Sequence, residues 1–331
     1  MQVLCMGEAL IDMLSTKEQD ATGATESFKK FAGGAPANVA VAVAKLGGNS
    51  GLFGKLGKDQ FGEYLYRTLA ELGVSTQFTG FSDRGKTALA FVGLDDSGER
   101  SFDFYIDNAA HTDLSEADLE PSLFAEPRII SFCSGSVSTP GLRKVTENAL
   151  SQFRDAGSIL CLDINLRPAF WDDATLAPTL ISETATKVDM IKASHEELVE
   201  LYSESNVNAC IQSWLESGVS LILVTDGANP VAFYTRDTDG TYPTPKTQVV
   251  DTTAAGDAFV GGFLFTLASE VQDKASFTHW VANFENILAS LRFATQCGAI
   301  AVSRYGAFDA LASKEQVNAL NDRKVGDNPP G

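Results

Sequence analysis

Residues 128–163, RIISFCSGSVSTPGLRKVTENALSQFRDAGSILCLD, decide the fold. The run 128–133 is short and almost wholly apolar, as a strand buried on both faces has to be. Residues 141–156 place apolar side chains at helical spacing, and 158–163 is a second apolar strand. The rhythm continues downstream. The spacing predicts a helix over 175–186, a strand over 188–192, helices over 195–203 and 207–217, and a strand over 219–225. Strands that alternate with helices make a parallel sheet covered on both faces.

Upstream the same alternation predicts a strand over 2–6 and a helix over 36–46 stopped by Gly47-Gly48. A strand over 50–55 and a helix over 59–72 follow, with Asp59 as N-cap and Gly73 as stop. Two segments break the rhythm. Residues 87–94 and 101–106 read as strands joined at Asp95-Asp96-Ser97-Gly98, a hairpin signal. Residues 15–32 are polar. Together they suit a small antiparallel β lid (13–32 and 81–106) beside an α/β core (1–12, 33–80 and 107–322). Residues 323–331 suit a disordered tail. A further hairpin is expected around Asp239-Gly240, and long helices after Gly256 and over about 280–302. No internal repeat is present.

The 331 residues include 25 Lys+Arg and 43 Asp+Glu, a formal net charge of −18. Without a basic run, neither nucleic acid nor an anionic membrane is an expected partner. A small anion can still be held by local backbone N–H groups. The longest apolar stretch, about 258–268, is far short of the ~20 residues that span a bilayer. The start, MQVLCMGEALIDM, has no basic region and does not read as a signal peptide. The five cysteines are scattered without a CxxC pair, which suits free buried thiols in a reducing cytoplasm. His111, His195 and His279 lie too far apart in sequence to suggest a zinc site.

Gly80 to Thr87 matches the phosphate-loop pattern GxxxxGK[ST]. That loop works only between a strand and a helix, and here Thr87 opens a strand, so Lys86 reads as a solvated lid residue. DTTAAGD at 251–257 is more informative. Its small residues open an apolar helix, whose first N–H groups form an anion cradle. Asp257 there would set a base beside a phosphate, as a hydroxyl kinase needs. The spacing equally fits an aspartate that caps a buried helix. Gly33-Gly34 and Asn38, in GGAPAN, can present N–H groups and an amide to sugar hydroxyls, or make a hinge before a helix. Asp12 lies just after the first strand, in an apolar neighbourhood where a carboxylate needs partners.

Over essentially the whole chain these segments resemble the ribokinase-like carbohydrate kinases, the PfkB family. GGAPAN is similar to its N-terminal signature and DTTAAGD to its C-terminal one. GEALIDM, DINLRPAFW, KASHEEL, VTDGANP and SRYGA line up between and beyond them. The resemblance implies a three-layer α/β/α core with a mostly parallel sheet plus the small antiparallel β lid. It implies ATP-dependent phosphorylation of a sugar hydroxyl. Asp257 would be the catalytic base, with Ala254, Ala255 and Gly256 completing the anion hole. Asp12, Gly33, Gly34, Asn38 and Arg167 would meet the sugar. Ser194, Thr225 and Gly227, with Ala255 and Gly256, would meet ATP. Glu197 would hold Mg²⁺ through water, and Asp251 and Thr253, near the 303–306 loop, a monovalent cation such as K⁺.

Three departures from the family pattern matter. Ala254 stands where the family has glycine, which is harmless if its φ is negative. Ser194 replaces the asparagine of NxxE, and Pro230 ends the TxGxxG loop. DINLRPAFW and KASHEEL are most similar to fructokinases, which makes D-fructose to fructose 6-phosphate the expected reaction. Ile106 stands where relatives acting on acidic sugars carry arginine, which counts against 2-keto-3-deoxygluconate. Ribose, 2-keto-3-deoxygluconate, a nucleoside, or sugar binding without turnover are the alternatives. The exposed lid edges suit a homodimer, and the compartment expected is the cytoplasm.

Overall fold

The computed structural model describes residues 1–15, 27–94 and 100–326, and the chain builds two sheets over these residues. The strands are β1 (Val3–Met6), β2 (Leu10–Ser15), β3 (Phe28–Gly33), β4 (Ser50–Gly57), β5 (Thr79–Ser82), β6 (Leu89–Leu94) and β7 (Arg100–Tyr105). They continue with β8 (Ile129–Cys133), β9 (Ile159–Asp163), β10 (Met190–Ser194), β11 (Leu221–Thr225), β12 (Val231–Tyr234) and β13 (Asp239–Tyr242). The helices are α1 (Ala35–Lys45), α2 (Gln60–Glu71), α3 (Pro140–Asp155), α4 (Ala177–Ala185) and α5 (His195–Tyr202). After them come α6 (Val207–Ser217), α7 (Ala255–Glu270), α8 (Lys274–Val281), α9 (Phe284–Val302) and α10 (Lys314–Gly326).

The large sheet has the order β13-β12-β11-β10-β9-β8-β1-β4-β5. Its strands pair in parallel from β11 to β5, and β12 and β13 add antiparallel at one edge. Each central strand buries both faces, with a period of two. Val3, Ile159, Met190 and Leu221 join the core under α1, α7 and α9. Leu4, Leu160, Ile191 and Ile222 join the core under α3 to α6. The three-layer architecture expected from the alternation is therefore present.

The small sheet has the order β3-β2-β6-β7. Its outer pairings are antiparallel, and β2 runs parallel to β6 in the middle. The expected hairpin turn at Asp95 to Gly98 lies outside the described residues, as do 16–26 of the polar segment. The small sheet reaches back to Leu10 and forward to Gly33, further into the chain than the sequence suggested. Residues 81–82, expected in the lid, belong instead to β5 at the edge of the large sheet. The polar tail expected from 323 is helical to Gly326, and 327–331 lie outside the described residues.

The second hairpin turns at Thr235 rather than at Asp239-Gly240. The Thr235 hydroxyl accepts from Thr238 N–H at 3.0 Å, and Asp239 and Gly240 already pair within β13. A threonine turn closes the loop there, so no glycine is needed. No helix follows Thr87, so the phosphate-loop lookalike lacks the element that would make it one. No helix among the described residues is long and apolar enough to cross a membrane.

Helix α7 lies between α1 and α9, and it buries Ala258 to Leu264 and Leu267. Glycine at 261 allows the approach, because a Cβ there would sit 2.4 Å from the Cβ of Ala42. Alanine in a helix interior normally gains about 0.5–1 kcal/mol over glycine. Here overpacking costs more, so Gly261→Ala is expected to destabilise the fold by a net ~1–2 kcal/mol. Urea unfolding of both proteins measures this.

Candidate active site

The C-terminal ends of the central strands face one edge of the sheet. Chain order reverses beside β1, where open α/β sheets make ligand crevices. A cavity of about 420 Å³ opens there, lined by Asp12, Gly34, Asn38, Asn165, Arg167 and Asp257, with Phe104 from the small sheet above. A second cavity of about 580 Å³ is lined by Thr225, Gly227, Val231, Pro245, Phe259 and Ala299. Thr252, Ala255 and Gly256 line both. The start of α7 is therefore the wall the two cavities share.

Asp257 is 6% exposed. Asn38 Nδ2 donates to its Oδ2 at 2.7 Å, and Asn165 Nδ2 donates to its Oδ1 at 3.2 Å. Burial pushes the Asp257 carboxyl above the ordinary range, while the Asn38 hydrogen bond, Lys192 and Arg167 pull it back. Asn38 Oδ1 is buried with no hydrogen-bond partner among the described residues. Asn38 thus holds the carboxylate with one end and keeps an acceptor for a hydroxyl at the other.

Lys192 and Asp163 form a buried pair, with Nζ 3.0 Å from Oδ1 and side chains 5% and 1% exposed. Burial would lower the Lys192 ammonium, but Asp163, Glu197 and Asp257 outweigh it and hold it above its ordinary value. Burial raises Asp163 to about 6 against the pull of Lys192. The ammonium lies 3.0 Å from where a Cβ on Gly256 would stand, so a fixed cation flanks the first turn of α7. That turn has N–H groups without intrahelical acceptors and no side-chain cap. Together they make an anion-binding corner.

The other predicted residues fall around this centre. Asp12 lies against Gly33, where a Cβ would be within 2.3 Å of its Oδ2, and Gly34 (φ +102) opens α1. Arg167 lines the sugar-sized cavity, and its guanidinium donates to the Leu166 carbonyl at 2.8 Å. Thr225 and Gly227 line the second cavity. Ser194 does not line either of the two cavities. Its hydroxyl accepts from Glu197 N–H at 3.1 Å and caps α5. Glu197 returns the bond to Ser194 N–H at 2.7 Å and also accepts from Leu166 N–H at 3.0 Å, with its carboxylate on the cavity wall.

No group of three or more His, Cys, Asp or Glu that could hold a metal ion occurs among the described residues. One carboxylate fits a hydrated Mg²⁺ carried on nucleotide phosphates, not a bare ion. Asp251 is 2% exposed and accepts from Thr253 N–H at 2.8 Å and Gly306 N–H at 3.0 Å. It ties the 251–256 loop to the 303–306 loop, where the monovalent cation was expected. Sequence reasoning missed Lys192, Asp163 and Asn165 as site residues. All three stand inside the segments DINLRPAFW and KASHEEL, and a lysine and an aspartate at strand ends were the available signal.

The description "pfkB family carbohydrate kinase" matches residues 1–314. Among curated proteins, the chain is 37% identical over 321 residues to a probable chloroplastic fructokinase-6 of Arabidopsis thaliana, covering 96% of this chain and 81% of the other. Among solved structures it is similar to a fructokinase with bound ATP from Xylella fastidiosa. The identity is 40%, the TM-score 0.91, and the coverage 98% and 99% of the two chains. A fructokinase double mutant from Vibrio cholerae O395, solved in a fructose, ADP and potassium ion bound form, is 31% identical with a TM-score of 0.85. That match covers 96% of this chain and 97% of the other.

One expectation fails on the backbone. Ala254 has φ 59° and ψ 10°, in the left-handed region, so alanine is not harmless there. A Cβ in that region costs roughly 1–2 kcal/mol, which the closed loop around it has to offset. Glycine removes that strain but brings back chain entropy of about 0.5–1 kcal/mol. Ala254→Gly is therefore expected to stabilise the protein by about 0.5–1 kcal/mol. A lowered thermal midpoint would contradict the assignment.

Proposed function

The chain belongs to the pfkB family of carbohydrate kinases, and on that premise we propose that it transfers the γ-phosphoryl group of ATP to the C6 hydroxyl of D-fructose. The observation that carries the reading is the buried Asp257, which lines a cavity of sugar size next to Ala255 and Gly256, the wall that cavity shares with one of nucleotide size. The similarity to fructokinases over nearly the full length supports fructose as the sugar. The Xylella fastidiosa relative with bound ATP supports the nucleotide.

In this reading fructose occupies the smaller cavity and ATP the larger, with the γ-phosphate at the start of α7. The C6 oxygen forms a bond to the γ-phosphorus as the bond to the ADP oxygen breaks. Asp257 orients the hydroxyl and takes its proton as the new bond forms. Asn38 and Asn165 fix the carboxylate oxygens, so the base is aimed before the sugar arrives. Charge that develops on the transferred oxygens meets the first-turn N–H groups of α7 and the Lys192 ammonium. Glu197 would hold the waters of Mg²⁺, which neutralises phosphate charge when bound. Asp251 and Thr253 would hold K⁺, and the Vibrio cholerae relative's potassium-bound form supports that choice. The small sheet, with Phe104 over the sugar, would close as a lid and keep water from acting as acceptor. Free thiols, four of them buried, suit a reducing compartment, so we place the reaction in the cytoplasm.

Asp257→Asn is expected to lower kcat by about 10²–10⁴ while fructose binding is largely kept. Coupled ADP-release rates and calorimetry on the variant check this, and near-normal turnover would remove Asp257 as base. Highest kcat/KM on ribose, 2-keto-3-deoxygluconate or a nucleoside in the wild-type panel would move the substrate within the family.

The outer face of the small sheet carries Phe28 and Tyr105, 43% and 61% exposed. Phe91 lies between them, with ring centroids 5.2 Å and 5.1 Å away. A second copy that covers these aromatics would make a homodimer through the lids. Light scattering at micromolar concentration is expected to give twice the chain mass, and Phe28→Glu with Tyr105→Glu to give the monomer.

A further inference from the structure

Glu8 follows Gly7 at the C-terminal end of β1, the strand beside the crevice. It is 8% exposed and lines the same cavity as Asp257. It also lines a small cavity of about 10 Å³ behind, with His111 and Ser136. Its carboxylate accepts from its own N–H and from Ala35 N–H, the first residue of α1, whose N-cap Gly34 has no side chain to offer. That explains an acceptor at position 8. It does not explain a charge, since serine or asparagine caps a helix as well. Burial and the Asp257 charge both work against an ionised Glu8, and Arg167 only partly offsets them. A carboxylate kept in such a place has a use there.

We propose that Glu8 is a specificity-determining residue, whose carboxylate accepts a hydroxyl of the sugar beside Asp257 and turns away sugars that carry a carboxylate or phosphate. The inference rests on the sugar-kinase reading of the cavity. The charged residues that line this cavity are Glu8, Asp12, Glu197 and Asp257 against Arg167 and Lys192, and Lys192 is already paired with Asp163 behind it. A neutral polyol can donate hydroxyl protons to these carboxylates. An acidic sugar meets like charge, which discriminates against it. Burial first, then Asp257, raises the Glu8 carboxyl to about 7, so it loses its charge within the working range. The groups around it are Asp257 from α7, Asp12 from β2, the Cys133 thiol from β8, Arg167 after β9, Lys192 from β10, Glu197 from α5 and His111 behind. Burial pushes His111 down to about 4, so it stays neutral over that range.

Glu8→Gln keeps the volume and the cap acceptor and removes the charge. It is expected to raise KM for D-fructose at least about 10-fold with kcat within about 3-fold. The preference in kcat/KM for fructose over 2-keto-3-deoxygluconate should narrow by at least about 10-fold. In the wild type, KM for fructose should rise as pH falls through about 7, and this rise should vanish in the variant. ADP affinity by calorimetry and the thermal midpoint report whether the fold and nucleotide side are intact. If Glu8→Gln does not fold, Glu8→Asp takes its place, expected to keep the discrimination while KM rises. Unchanged KM and preference would overturn the proposal, and so would a collapse of kcat at constant KM. A wild type that turns over no sugar defeats the kinase reading itself. One that prefers another neutral sugar leaves the comparison standing on that sugar.

Discussion

The Asp257 carboxylate is held by two amides that the chain supplies from 219 and 92 residues away. This convergence is the constraint the rest of the architecture serves. Asn38 is on α1, Asn165 follows β9 and Asp257 opens α7, so the three meet only if α1 and α7 pack at close range over the sheet. Gly261 permits that range, and the apolar α7 is the element around which α1 and α9 assemble. A carboxylate in a nearly dry site is costly unless its oxygens are satisfied. The two amides satisfy one bond to each oxygen, which suits the proposed role of Asp257 as base.

The sheet does more than carry loops. Along each central strand, side chains alternate between the two cores, and Asp163 and Lys192 occupy the positions next in register after Cys161 and Met190. They point to the α7 side, where their neighbours are apolar. A buried ion pair of this kind rarely stabilises a fold relative to packed apolar residues. It places a cation within reach of the first turn of α7, and Asp163 keeps that cation charged despite burial. Strand periodicity thus sets the electrostatics of the site as well as its support.

Much of this was legible in the sequence because it depends on patterns longer than one residue. The strand–helix alternation from 128 to 225 specified the parallel sheet, and GGAPAN with DTTAAGD marked the ends of α1 and α7 that form the site. The parts that stayed hidden are local or long-range. β3 and β5 are short and carry Lys29, Lys30 and Gly80, which mask a period of two. Thr235 closes its turn by a side-chain hydrogen bond, so the glycine that looked like the turn lies in a strand. The sign of φ at Ala254 is set by loop closure around Asp251, and no residue-level preference reports it. The roles of Asn165, Lys192 and Glu8 are pair properties, visible only once their partners are in place.

The chain carries a net charge of −18, yet the site suits a polyanionic nucleotide. The conflict resolves by distance. Surface carboxylates act through water and salt, which screen them within about 10 Å. The first-turn N–H groups of α7 and the buried Lys192 ammonium act at contact range, where water and salt screen them far less. A few fixed dipoles and one buried cation therefore outweigh a large acidic surplus at the phosphate end. At the sugar end Lys192 is paired with Asp163, and Glu8, Asp12, Glu197 and Asp257 outnumber Arg167. Within one crevice the two cavities thus differ in charge, since among the described residues the larger has Lys246 as its only charged lining residue and the smaller has four carboxylates, with the start of α7 as the wall they share. On the proposed reading, a phosphoryl group would be drawn to that wall from one side and a neutral hydroxyl would approach it from the other.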